Sequence, residues 1–122
     1  MGEVVLQTEV VKIGTCAGDF SADRMLIFFH EDVPDYLADF CYLIRPCTGS
    51  YDLHPGDILL LGETRCRITA IGDVALENLK TLGHLVVRFD GKTQAALPGS
   101  IHVEQMGLPE IRTGMRVWFE RE

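Results

Sequence analysis

Short runs of alternating apolar and polar residues dominate this chain, and their period is two. Val4 to Ile13 is rich in Val and Thr and predicts a first strand. Met25-Leu26-Ile27-Phe28-Phe29 is a continuous apolar run, the pattern of a strand covered on both faces. Cys41 to Ile44 returns to strand character and Pro46 ends it. Ile58 to Leu61 and Arg65 to Ile71 flank Gly62-Glu63 and read as a hairpin, with Cys66, Ile68 and Ala70 on one face and Arg65, Arg67 and Thr69 on the other. In His84–Asp90, Leu85, Val87 and Phe89 alternate with His84, Val86 and Arg88. Ile101 and Val103 alternate with His102 and Glu104, and Met115, Val117 and Phe119 with Arg116, Trp118 and Glu120.

Helical spacing is confined to two places. Pro34 suits a first helical position, and Tyr36, Leu37 and Phe40 follow at helical intervals for one or two turns. Ala75, Leu79 and Leu82 share one helical face, with Asp73 placed as N-cap and Gly83 as the left-handed stop. Gly14 to Asp23 is small and polar and reads as a loop. Turn signals at Pro55-Gly56, Asp90-Gly91 and Pro98-Gly99 separate the strands. The expectation is an all-β, closed β-barrel of about seven or eight strands with one or two short helices. One domain is expected over residues 1–122, with no repeat or linker.

Composition narrows the function classes. With 11 Lys and Arg against 18 Asp and Glu, the formal charge is −7, which opposes a nucleic-acid or anionic-membrane partner. No apolar stretch reaches membrane-spanning length, and Met1-Gly2-Glu3 opens without the positive region of a signal peptide. Cys16, Cys41, Cys47 and Cys66 form no C-x-x-C pair, so they read as reduced thiols rather than metal ligands. No Gly-rich phosphate loop and no hydrolase or zinc motif occurs, so no cofactor and no metal are expected.

The reactive candidates are imidazoles. His30 precedes Glu31-Asp32 and reads as a solvated strand end. His54 sits in the turn Leu53-His54-Pro55-Gly56, where its ring is accessible. His84 shares a strand face with Arg88; its alternative role is to hydrogen-bond the carbonyls that end the preceding helix. His102 shares its face with Ser100 and Glu104, and Glu104 could orient its ring. Histidine suits covalent phosphoryl carriage because its neutral form exists at pH 7 and one nitrogen can attack while the other is held.

Several segments together resemble the glucitol/sorbitol-specific IIA component of the bacterial sugar phosphotransferase system, over nearly the full length. They include Met25-Leu26-Ile27, Phe40-Cys41-Tyr42, Leu53-His54-Pro55-Gly56, Thr69-Ala70-Ile71-Gly72, Leu82-Gly83-His84, Arg88-Phe89-Asp90-Gly91 and Leu97-Pro98-Gly99 with His102-Val103. The resemblance implies a cytoplasmic β-barrel that accepts a phosphoryl group on histidine from the histidine-phosphocarrier protein. It implies onward transfer to a cysteine of the membrane-bound IIB/IIC components, without metal or nucleotide. The family's acceptor is expected just after the Cys-aromatic-apolar triplet, and here that position is Ile44. This leaves two alternatives. Another histidine carries the group, with His54 and His84 as catalytic candidates and Arg45 and Arg88 neutralising phosphate charge. Otherwise the chain is a degenerate paralogue that keeps the fold as a regulatory or protein-binding module. A third, thiol-based role would fall to Cys41 or Cys47.

Overall fold

Alternation becomes strand almost wherever it occurs. A computed structural model describes residues 2–121. Its strands are β1 (Glu3–Ile13), β2 (Met25–His30), β3 (Tyr42–Ile44), β4 (Thr48–Gly49), β5 (Ile58–Leu61), β6 (Thr64–Ile71), β7 (Leu85–Arg88), β8 (Ser100–Val103) and β9 (Arg116–Arg121). Two helices, α1 (Asp35–Ala38) and α2 (Ala75–Leu82), and a 3-10 segment (Ala17–Asp23) complete the order. The 3-10 segment occupies part of the stretch expected to be loop.

Hydrogen bonding runs β3-β2-β7-β8-β6-β5-β9-β1 and returns from β1 to β3, so the sheet closes in a ring. Closure uses Val10↔Ile44, Lys12↔Leu43 and Ile13↔Tyr42. The pairs β2–β3 and β7–β8 are parallel. Strand β4 lies outside the ring, against Leu6 and Gln7 of β1. Pro46 explains the break between β3 and β4, because it has no N–H for the ladder. The Arg45 N–H still reaches the Glu9 carbonyl at 3.2 Å, and the Ser50 N–H reaches that of Val5 at 2.8 Å.

Inward positions fill the ring. Leu6, Val10, Phe28, Ile44, Leu59, Cys66, Ile68, Val87, Phe89, Ile101, Val103 and Phe119 are all buried and belong to one cluster. Helix α2 adds Ala75 and Leu79 to it. Leu79, Phe28, Ile44, Leu59, Leu85 and Phe119 line one narrow internal void.

The helix ends depart from expectation. Asp73 caps nothing. Helix α2 begins after Val74 without a side-chain cap, and the N–H groups of Val74 and Ala75 donate instead to the Pro98 and Gly72 carbonyls, at 3.1 Å each. A loop distant in sequence has replaced the local carboxylate. Leu82 lies past the buried face and is 52% exposed. Pro34 stands one residue before α1, and Tyr36, Leu37 and Phe40 are exposed, because so short a helix covers little of the barrel.

Gly83 does end α2, at φ 70°. A Cβ there would collide with Cδ2 of His30, so the ring of His30 occupies the space that any other residue would need. Gly83→Ala is therefore expected to destabilise the fold by more than the roughly 1–2 kcal/mol of left-handed strain alone. A urea midpoint equal to that of the wild type would show that this contact is not formed.

Candidate functional site

The alternation of β7 decides where its polar side chains go. Leu85 and Val87 are buried in the core, which turns His84, Val86 and Arg88 to the outer face. On neighbouring β8, Ile101 and Val103 join the core, leaving Ser100 and His102 on that same outer face. The parallel register sets Val86 beside Ser100 and Arg88 beside His102. Ser100 Oγ and Arg88 Nε are both buried there without a hydrogen-bond partner among the described residues.

His84 is the first residue after the stop of α2. Its backbone N–H donates to the Asn78 carbonyl at 3.2 Å, and that of Gly83 to Leu79 at 3.0 Å. These backbone bonds do the work considered for the His84 side chain, and its ring makes no hydrogen bond among the described residues. The ring rests on Phe29, with centroids 4.7 Å apart. Partial burial disfavours the imidazolium and holds the His84 pKa below its ordinary value. A neutral ring with a free nitrogen lone pair is a nucleophile. An open groove of about 440 Å³ adjoins Phe29, lined also by His30, Pro34, Leu37, Thr81 and Leu82.

His54 is placed differently. Its side chain is 64% exposed, and Nε2 stands 2.7 Å from Asp52 Oδ1. Its backbone N–H donates to Asp57 Oδ2 at 2.8 Å. The carboxylate assigns the proton to Nε2 and leaves Nδ1 as an open acceptor. The two acids and Arg121, whose Nε is 3.5 Å from Asp57 Oδ1, surround it with mixed charge. The turn meets α2 through Lys80 Nζ, 6.0 Å from the Tyr51 ring centre.

Arg45 is engaged by a carboxylate of β1. It is held by Glu9 at 2.5 Å in an exposed pair. Arg88 ends β7, four residues beyond His84 and on the same outer face. Across the β7–β8 ladder Arg88 pairs with His102, and Ser100 with Val86.

Two sequence expectations are corrected. His30 is no solvated strand end: its ring packs on Gly83 and its Nε2 is buried without a partner among the described residues. His102 is fully buried, and its partner is Asp90 at 2.7 Å rather than Glu104, which instead accepts the Arg67 N–H at 2.8 Å. Neither was legible locally, because Gly83 reaches His30 and Asp90 reaches His102 through pairing between strands.

Position 44 faces inward. Ile44 is 2% exposed, among Phe28, Leu59, Leu85, Val117 and Phe119. Three of the four cysteines are poor nucleophiles. Burial pushes the thiols of Cys41 and Cys47 up to about 11 and that of Cys66 to about 12, so all three stay protonated near neutrality. Among the described residues no cluster of His, Cys, Asp and Glu has the arrangement of a metal site. No described helix is long and apolar enough to cross a membrane.

Comparison with known proteins bears on this geometry. Residues 5–118 match the family described as "PTS system glucitol/sorbitol-specific IIA component". Proteins named "PTS system glucitol/sorbitol-specific EIIA component" from Shigella flexneri and from Escherichia coli (strain K12) are each 40% identical over 119 residues, covering 96% of this chain and 95% of theirs. The crystal structure of a PTS system IIA component from Enterococcus faecalis V583 superposes with a TM-score of 0.78 at 26% identity, covering 91% of this chain and 96% of that one.

The low pKa of His84 has a consequence for stability. Unfolded, the ring takes a proton near its ordinary value of roughly 6.5; folded, it takes one only at lower pH. Between those values the unfolded chain binds more protons, so this contribution is lost as pH falls through the ordinary value. The wild type should therefore lose more stability than His84→Gln between about pH 8 and about pH 5.5. Parallel urea-midpoint profiles for the two proteins would contradict this.

Proposed function

Because the chain belongs to the family of glucitol/sorbitol-specific IIA components of the sugar phosphotransferase system, we propose that it carries a phosphoryl group on His84. The donor is a phosphorylated histidine-phosphocarrier protein, and the recipient is the membrane-bound IIB/IIC assembly for a glucitol-type sugar. The site of action is the cytoplasm.

The observation that carries this reading is the state of the His84 ring. It is half-buried, held neutral, braced by Phe29 and free of hydrogen bonds among the described residues. Its nitrogen lone pair attacks the phosphorus of the donor's phosphohistidine. A new N–P bond forms as the donor's N–P bond breaks, and the donor imidazole leaves with that electron pair. Positioning and charge neutralisation then remain to be supplied. Arg88 and Ser100, on the same outer face, are the candidate cation and hydroxyl for that role. The groove beside Phe29, with Leu37 and Leu82 exposed at its rim, offers an apolar surface on which a protein donor can dock.

His54 is the second candidate acceptor, since Asp52 orients its ring. Its setting between Asp52 and Asp57 is less favourable to a dianionic group. Ile44 supports a different reading, in which the chain keeps the family fold and docks its partners without transfer. Ile44 carries no nucleophile and is sealed among Phe28, Leu59 and Phe119, so transfer by this chain falls to another imidazole.

Incubation with phosphorylated carrier protein should raise the mass of the chain by one phosphoryl group, in an acid-labile linkage. His84→Ala should remain unlabelled, while His54→Ala should label as the wild type does. Label retained in His84→Ala and lost in His54→Ala would transfer the role to His54. An unlabelled wild type would defeat the relay, and labelling gained only in Ile44→His would identify the non-transferring paralogue.

A further inference from the structure

We infer that His102 is a positioning residue for His84, acting through the segment 91–99, an inference that rests on the phosphoryl-relay reading. His102 never touches the His84 ring. It is fully buried on the outer face of β8, under that segment. Both of its ring nitrogens are committed. Nδ1 lies 2.7 Å from Asp90 Oδ1, which also accepts the Lys92 N–H at 3.1 Å. Burial pushes the Asp90 carboxyl up, but the bonds from His102 and Lys92 outweigh it and hold the group below its ordinary value. Asp90 is therefore a carboxylate near neutrality, and Nδ1 of His102 carries the ring proton. Nε2 is left as an acceptor, and the Ala96 N–H donates to it at 3.2 Å.

A sealed ring with one donor and one acceptor in fixed directions specifies where residue 96 stands. The next three residues, Leu97, Pro98 and Gly99, build the surroundings of His84. The Leu97 carbonyl accepts the Ser100 N–H at 3.2 Å, and the Pro98 carbonyl accepts the Val74 N–H that opens α2, at 3.1 Å. A Cβ on Gly99 would stand 3.4 Å from Asn78 Nδ2 and 3.9 Å from His84 Nδ1, so the Gly99 backbone borders one edge of the His84 ring. The line of contact runs from Asp90 through His102, Ala96 and Gly99 to His84. Misplacing a reacting group by about 1 Å can lower a rate about 100-fold.

Two substitutions separate the bonds that His102 makes. His102→Gln sets a carbonyl oxygen near the place of Nε2 and keeps the Ala96 bond. His102→Asn keeps the Asp90 bond and orphans the Ala96 N–H. With circular dichroism unchanged, phosphoryl gain from the carrier protein should stay within about twofold of wild type in His102→Gln and fall about tenfold or more in His102→Asn. The His84 ring titration, followed by NMR, should move up toward its ordinary value in His102→Asn alone. Wild-type rates and an unshifted titration in both variants would overturn the positioning role while leaving the relay intact. A wild type that never labels would overturn the relay and this inference with it. Should neither variant fold, linkage gives a test on the wild type: phosphorylating His84 must shift the Ala96 amide and His102 ring resonances. Unmoved resonances would refute the coupling.

Discussion

The ring closes because β1 is long enough to pair more than once. Its residues Glu3 to Glu9 hydrogen-bond with β9, and Val10 to Ile13 with β3. Register irregularities between Val4 and Leu6 and between Val10 and Lys12 bend it as it passes from one partner to the next. Without this double pairing, β3 and β1 would each present an open edge rich in Val, Ile and Leu. The connection also joins the two ends of the chain, since β9 carries the last described residues. Every other part of the site is placed relative to that closed wall.

Closure sorts side chains by parity. Residues facing inward meet a packed apolar interior, where an imidazole would leave its nitrogens unsatisfied. Ile44 is inward, as are Phe28 and Val87, and its identity follows from that position. Chemistry toward a protein partner is confined to outward positions, strand ends and turns. His54 and His84 meet that condition by different routes, one as a solvent-facing turn residue oriented by Asp52, the other as a half-covered ring after a helix stop. Partial burial favours the neutral form of the His84 ring.

The buried polar groups divide in the same way. His102 and Asp90 satisfy each other and organise a loop, the usual reason for a polar group to lie beneath a surface segment. Ser100 Oγ and Arg88 Nε are buried nearby without partners among the described residues. Both kinds of group lie on a single outer face, that of β7 and β8. The chain as a whole carries a net formal charge of −7.

The sequence by itself determined the strands, most turns and which residues face the core, because side-chain direction in a strand repeats every two residues and is a local property. It placed Cys66, Ile68 and Ala70 inside, stopped α2 at Gly83, and set His84 with Arg88 on one face. It also carried the family, through the order of many short segments. Tertiary structure alone decided what each polar residue meets. Pro98, distant in sequence, replaced Asp73 at the start of α2. Asp90 replaced Glu104 beside His102, and Gly83 gave His30 a buried seat. Those partners are brought together by ring closure and by parallel pairing across intervening elements, and no local period encodes a contact between residues so far apart along the chain.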